Sequence, residues 1–192
     1  MSQKILYISF LAIVALGVVF YLGVRAGLYP VAIVDSNWIT AALFREEFDA
    51  TKAYFTPAVA QARARKEPID ETALEAEYRR ASMDRLVEIT LVRKKAFSLF
   101  GTGLKKERDK IIGEARLDPA AVEASVKIAY GWDFPTFTKL VVVPQAEKDL
   151  ITASLAEKKM SYDEWLAIAR KDASVYLLIR GLSWEGEHVV SK

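Results

Sequence analysis

The side chains that most often carry out chemistry are scarce in this chain. His188, in the run Gly186-Glu187-His188-Val189-Val190, is its single imidazole, and there is no cysteine. Proton transfer or a nucleophilic relay at neutral pH needs a histidine oriented by a second group. His188 has no second histidine and lies in a polar tail that reads as a loosely held surface segment. Without cysteine, disulfides, thiolate metal sites and thiol nucleophiles are excluded. Carboxylates stand side by side in Glu46-Glu47 and Asp163-Glu164. On a helix such neighbours point about 100° apart, so neither pair forms an acid–base dyad. Gly101-Thr102-Gly103 lacks the preceding strand and the following Lys-Ser/Thr of a phosphate cradle and reads as a helix terminator. The expectation is a protein with no catalytic residue, no metal and no cofactor, and not an enzyme. What the chain does offer is aromatic surface, including Trp38, Phe44, Phe48, Tyr54, Phe55, Phe97, Phe100 and Trp132. Most of it is expected in the core, with room for an open apolar groove in a body made of long helices.

The elements that must position these residues are legible from composition. The chain has 192 residues, 52% hydrophobic and 27% charged, with 27 Lys+Arg against 25 Asp+Glu. The apolar excess is concentrated in Ile5 to Val24, ILYISFLAIVALGVVFYLGV, which carries no charge. At about 1.5 Å per residue this run spans the roughly 30 Å hydrocarbon layer of a bilayer. Lys4 and Arg25 flank it, and Tyr7, Tyr21 and Tyr29 lie towards the two interfaces. The reading is an uncleaved single-pass anchor with its N-terminus inside. The alternative is a cleaved export signal ending near Val24-Arg25-Ala26, whose apolar core is usually only about 7 to 15 residues. Residues 1–30 hold two basic residues and no acidic ones, so residues 31–192 carry 25 of each. A formally neutral body gives no basis for a nucleic-acid partner or a polybasic membrane surface.

Within that body, Val31-Ala32-Ile33-Val34 reads as a short strand, Asp35-Ser36-Asn37 as a turn, and Trp38-Ile39-Thr40 as the lead into a helix capped by Thr40. Phe44, Phe48, Phe55 and Val59 form that helix's apolar side, with Arg45, Glu46, Glu47 and Lys52 on the other faces. Pro68 and Asp70 open a second helix of about thirty residues that ends at Gly101. A charged helix covers Lys105 to Arg116, the next begins at Asp118-Pro119 and stops at Gly131, and Asp133-Phe134-Pro135 opens a stretch that Pro144 should kink or break. Ser161 and Glu164 form a capping box for a helix over 162–172. Ser174 to Arg180 reads as the second of two strands, and pairing it with Val31-Val34 brings the chain ends together. Gln61 to Lys66 and Leu104 to Arg108 read as solvated charge clusters.

This order of elements resembles the chaperone domain of the SurA/PpiD/PrsA group of exported foldases. Val31-Ala32-Ile33-Val34-Asp35-Ser36-Asn37-Trp38-Ile39-Thr40 is similar to the group's strand V-A-x-V-(N/D)-(G/S)-x-x-I-T. Met83-Asp84-Arg85-Leu86-Val87-Glu88, with Leu91, Ala96 and Gly101, is similar to its long second helix. Tyr130 to Phe137 is similar to the loop that opens its later helix. The resemblance covers about residues 31–150 and extends towards 180. It departs from the group after Leu150, where there is space for less than half of a parvulin isomerase domain. The Gly-Gly turn and first histidine of that domain are absent, and Gly186 to Val190 only echoes its ending.

The resemblance implies a mainly α fold: a transmembrane helix within 1–30, then a multi-helix SurA-N-like domain over 31–192 with a two-stranded sheet joining its N- and C-terminal strands. It implies a membrane-anchored extracytoplasmic holdase that binds unfolded or nascent exported polypeptides in an apolar cradle, with no nucleic acid and with a homodimer compatible. The protein would sit in the cytoplasmic membrane, with its C-terminal domain facing the periplasm or cell exterior. Phe44, Phe48, Phe55, Tyr78, Phe97 and Phe100 are the candidate polypeptide-binding residues. Two alternatives stay open: an anchored structural or assembly subunit with one fixed protein partner, and a degenerate peptidyl-prolyl isomerase using His188.

Overall fold

The computed structural model describes residues 3–192, with side chains from Phe10 onward. The first helix, α1, runs over Gln3–Arg25. The expected span of Ile5 to Val24 falls partly on side chains outside the described residues. Among the described residues no helix is long and apolar enough to cross a membrane. The apolar side chains of α1 from Phe10 to Val24 remain exposed, from 44% at Val24 to 74% at Phe20. At the exit of α1, Gly27 has φ +71°, and a Cβ there would lie 2.9 Å from the Ala42 amide. The Gly27 carbonyl accepts from the Ala42 amide at 2.9 Å and the Tyr29 carbonyl from the Ala41 amide at 3.0 Å. The linker thereby satisfies two donors that the next helix would leave unpaired.

Strands β1 (Pro30–Val34) and β2 (Asn37–Thr40) form a hairpin. Asp35 and Ser36 both take positive φ, 47° and 72°, the two-residue turn whose twist suits antiparallel strands. Trp38-Ile39-Thr40 is therefore a strand, which corrects its reading as a lead-in to the helix. Strand β3 (Val175–Leu177) pairs antiparallel with the other edge of β1, with Ile33 opposite Tyr176. The chain closes on itself as expected, but in a three-stranded sheet of order β2-β1-β3. The expected two-stranded sheet is corrected again at the C-terminus. There β4 (Leu182–Trp184) and β5 (Val189–Ser191) form a second hairpin. This segment was expected to be loose, yet Leu182 and Val189 are buried in the same core as β1.

Helices supply most of the fold. Helix α2 covers Ala41–Ala64, with Thr40 accepting from the Leu43 amide as N-cap. Helix α3, Glu71–Phe100, is capped by Asp70, which accepts from the Thr72 and Ala73 amides. Its length of about 45 Å makes it the spine. Met83, Leu86, Val87 and Leu91 pack against the sheet and Phe44. Val92 and Ala96 pack against Leu104 of α4 (Leu104–Glu114), Ile151 and Leu155 of α7 (Val143–Ala156), and Trp165 of α8 (Tyr162–Asp172). Helix α5, Pro119–Tyr130, starts at the Asp118 cap and stops at Gly131 in the left-handed conformation.

Pro144 does not break the helical path, which continues through it. The short helix α6 (Phe134–Phe137) runs into a π-helical turn, Thr138–Val142, and then into α7. The Val143 amide reaches back five residues to the Thr138 carbonyl. Residue 144 has no N–H to give the Leu140 carbonyl its α-helical bond, and a wider turn is a known way for a helix to absorb such a lesion. The Leu140 carbonyl instead accepts from Arg85 Nη2 at 3.2 Å.

Candidate functional site

That arginine lines a cleft between α2, α3 and the α5–α6 turn. Helix α2 contributes Glu47, Ala50, Thr51, Tyr54 and Phe55, α3 contributes Ala81 and Arg85, and Tyr130 and Trp132 close the third side. The cleft is open to solvent and has a volume of ≈ 280 Å³. Its aromatic wall is continuous. Tyr54 stacks on Tyr130 with ring centroids 5.8 Å apart, and Tyr130 stacks on Trp132 at 5.2 Å. Phe55 meets Tyr54 edge-on at 5.2 Å and stacks on Tyr78 at 5.6 Å. The left-handed turn at Gly131 folds Trp132 back beneath Tyr130, onto Ala50, Val126 and Leu140.

The polar floor of the cleft is Glu47, a carboxylate that is 1% exposed. Its Oε1 lies 3.2 Å from Arg85 Nη1, while its Oε2 is buried with no hydrogen-bond partner. Burial raises the Glu47 pKa above the usual carboxylate value, outweighing the opposing pull of Arg85; Glu46 adds to the rise. One turn on, the Thr51 hydroxyl donates to the Glu47 carbonyl and accepts from the Ser82 hydroxyl, locking α2 onto α3. A second buried acid, Glu147, offers a contrast. Its two oxygens meet Arg93 Nε at 3.4 Å and Arg108 Nη1 at 3.5 Å, joining α3, α4 and α7. Glu147 is a structural tie satisfied on both oxygens, whereas Glu47 keeps one buried acceptor without a partner.

The remaining charged clusters also hold elements together. Arg170 makes a bidentate pair with Asp84 at 2.9 and 3.0 Å and reaches Glu88 at 3.3 Å. The Tyr162 hydroxyl donates to Glu88 at 2.8 Å; burial, then that hydrogen bond, raises its pKa. Asp84 also accepts from the Val189 amide, so the same acid fastens α8 and β5 to α3. Asp35 accepts from Lys94 Nζ and from the Ser174 amide, both at 2.8 Å. Partial burial would raise its pKa, but the two donors together hold it below the usual value. Among the described residues no group of three His, Asp or Glu side chains gathers as a metal-ligand set.

The six aromatic residues singled out from sequence occupy different places. Phe55 and Tyr78 meet at the cleft. Phe44 is in the main core, with Phe48 stacked beside it at 6.3 Å. Phe100 packs against the α4–α7–α8 cluster. Phe97 is exposed in a separate groove of ≈ 410 Å³ shared with Trp38, Leu43, Arg93 and Lys94. His188 stands exposed at the tip of the β4–β5 hairpin.

Sequence reasoning missed Tyr54, Tyr130 and Trp132 as cleft residues and placed Glu47 on an outer face, which the structure corrects. A signal for Glu47 was present: it lies three residues after Phe44 and four before Thr51, inside the apolar stripe. Comparison with family models, with curated proteins and with solved structures gives no match for the chain.

Proposed function

We propose that the protein is a membrane-anchored chaperone of the holdase type, binding segments of unfolded exported polypeptides in the aromatic cleft between α2, α3 and α5. The observation that carries this reading is the cleft itself: a continuous, open aromatic wall over a buried polar floor, the arrangement that binds side chains of varied sequence. Its size is that of one or two side chains, so affinity for a chain comes from several weak contacts rather than one tight one. The exposed apolar length of α1 supports the anchor, because a helix apolar all round needs lipid or protein about it. Closure of β1 on β3 and the order of the long helices support kinship with the SurA/PpiD/PrsA group.

The test uses the full chain in detergent micelles with a chemically unfolded client. At a stoichiometric ratio it should suppress client aggregation, and Tyr54→Ala with Phe55→Ala should weaken that suppression several-fold without lowering helix content. A full chain that leaves aggregation unchanged removes the reading. A fixed protein partner is favoured by one separate observation, the exposed Trp38 and Phe97 beside the unpaired edge of β2. Tight one-to-one co-purification that is lost in Trp38→Ala would select that role instead.

A further inference from the structure

An antiparallel sheet with one face in water alternates apolar residues inward with polar residues outward. The sheet β2-β1-β3 keeps the inward half of that rule, with Ala32, Val34 and Ile39 buried in the core against α3. It departs from the outward half. The register sets Ile33 opposite both Trp38 and Tyr176, so a row of Trp, Ile and Tyr crosses the outer face of all three strands. Trp38 is 65% exposed and Tyr176 64%. The strands PVAIV, NWIT and VYL contain no charged residue, although sheet edges that face water are ordinarily guarded by charge.

The position of this face gives the omission a meaning. Thr40 pairs with Pro30, and the Ala41 amide donates to the Tyr29 carbonyl, so the open end of the β1–β2 hairpin sits at the exit of α1. With about 3.4 Å per residue along a strand and about 5 Å between strands, Trp38 lies within about 10 Å of Pro30 and the row itself is about 10 Å wide. Leu28 and Tyr29 add exposed apolar surface at the same end, as does Leu178, whose amide donates to the Val31 carbonyl. Only residues 26–29 separate α1 from β1, a tether of less than about 20 Å that keeps the body beside the anchor. We infer that this uncharged face is a membrane-contact surface: the body rests its sheet on the bilayer, with Tyr29, Trp38 and Tyr176 in the headgroup region. The inference rests on anchoring by α1 and adds the orientation of the body. Tryptophan and tyrosine are the side chains that the interface selects, since each joins an apolar ring to a polar group, and a headgroup layer about 5–7 Å thick holds one tier of such rings. So few interfacial side chains do not replace a span; they orient a body that α1 attaches. Phe55 of the aromatic cleft lies about 21 Å along α2 from Ala41, so an oriented body holds the cleft at a short, fixed reach from the anchor.

The experiment places the full chain in phosphatidylcholine vesicles, plain or carrying a nitroxide high on the acyl chain, and floats them first to establish anchoring. Tryptophan emission is read in the wild type and in Trp38→Phe, and the difference belongs to Trp38. That difference should fall about twofold in the nitroxide vesicles and resist aqueous iodide. Because the chain has no cysteine, a bimane label at Tyr176→Cys gives a second reading independent of Trp38→Phe. It should respond in the same way, whereas a bimane at Lys106→Cys, on exposed α4 surface, should answer to iodide alone. A floating chain in which positions 38 and 176 answer to iodide and not to the lipid nitroxide overturns the inference and leaves the anchor standing. Protection from both quenchers also overturns it, because protein then covers the face, as the fixed-partner reading requires. A chain that does not float removes the anchor, and the membrane face falls with it.

Discussion

Two carboxyl groups in this protein are perturbed in opposite directions, and each yields a signed expectation for stability. Glu47 is buried with one oxygen unpaired, and its pKa is raised above the usual 4.5. As pH rises through 4.5 the unfolded chain releases this proton while the folded one keeps it, so the folded state binds more protons and stability falls with pH. The loss ends once pH passes the raised value. Below 4.5 the group contributes its full favourable share. Urea denaturation of the wild type and Glu47→Gln across pH 4 to 8 should therefore show the variant gaining relative stability as pH increases through that window. A constant difference would mean that Glu47 is as well solvated folded as unfolded. Asp35 behaves in the converse way: its pKa is lowered below 3.8 by Lys94 and the Ser174 amide against the opposing effect of burial. Its contribution is present above 3.8 and is lost as pH falls through the lowered value, so Asp35→Asn should be least harmful in acid. At this scale the helix caps Thr40, Asp70, Asp118, Asp133 and Ser161 were all legible, because a cap is decided by residues two or three positions apart. Glu47 was legible in principle from its place in the stripe, but its unpaired oxygen depends on α3 and α5 and is written in no local pattern.

Elements were read well where they are long and poorly where they are short. Helix α3 has thirty residues to declare its period, whereas β4 and β5 have three each and are strands because Leu182 and Val189 have a place against α3. The π-helical turn before Pro144 was illegible for a similar reason. Its carbonyl at Leu140 is tolerated because Arg85, from another helix, donates to it. The same arginine holds Glu47, so the irregular turn and the cleft share one side chain. Two substitutions test the hairpins' contribution. Ser36→Gly relieves a left-handed serine in the β1–β2 turn and should stabilise the protein by about 0.5–1 kcal/mol in chemical denaturation. Ending the chain at Gly181 removes Leu182, Val189 and the amide that Asp84 accepts. That truncation should lower the melting temperature by several degrees, on the order of 2–4 kcal/mol of lost burial and hydrogen bonding. A loosely attached tail would leave it unchanged.

The whole molecule divides into a neutral folded body and an apolar helix that the body does not cover. From Phe10 to Val24, α1 exposes Phe10, Leu11, Ile13, Leu16, Val19, Phe20 and other large apolar side chains around its full circumference. Each would gain about 1–2 kcal/mol on leaving water, so their sum matches or exceeds the whole stability of an ordinary domain. Such a surface favours a covering medium, and under the proposed anchoring role a bilayer would supply one on all sides at once. The attachment is a hand-over rather than a shared core, since Gly27 and Tyr29 meet α2 through backbone bonds while, among the described residues, the large apolar side chains from Phe10 to Val24 stay exposed. Removal of residues 1–24 should therefore leave a body that melts at the same temperature as the full chain in micelles, because the Gly27 and Tyr29 contacts are retained. The full chain should float with lipid vesicles and resist both 1 M salt and alkaline carbonate. The shortened chain should stay in the aqueous fraction. Salt resistance is the discriminating condition: residues 31–192 carry 25 charges of each sign, so attachment that dissolves at high ionic strength would come from charged side chains of the body and not from burial of the apolar helix. A full chain that remains soluble and monomeric without detergent would place the apolar face of α1 against protein instead, and the membrane would no longer be needed to explain it.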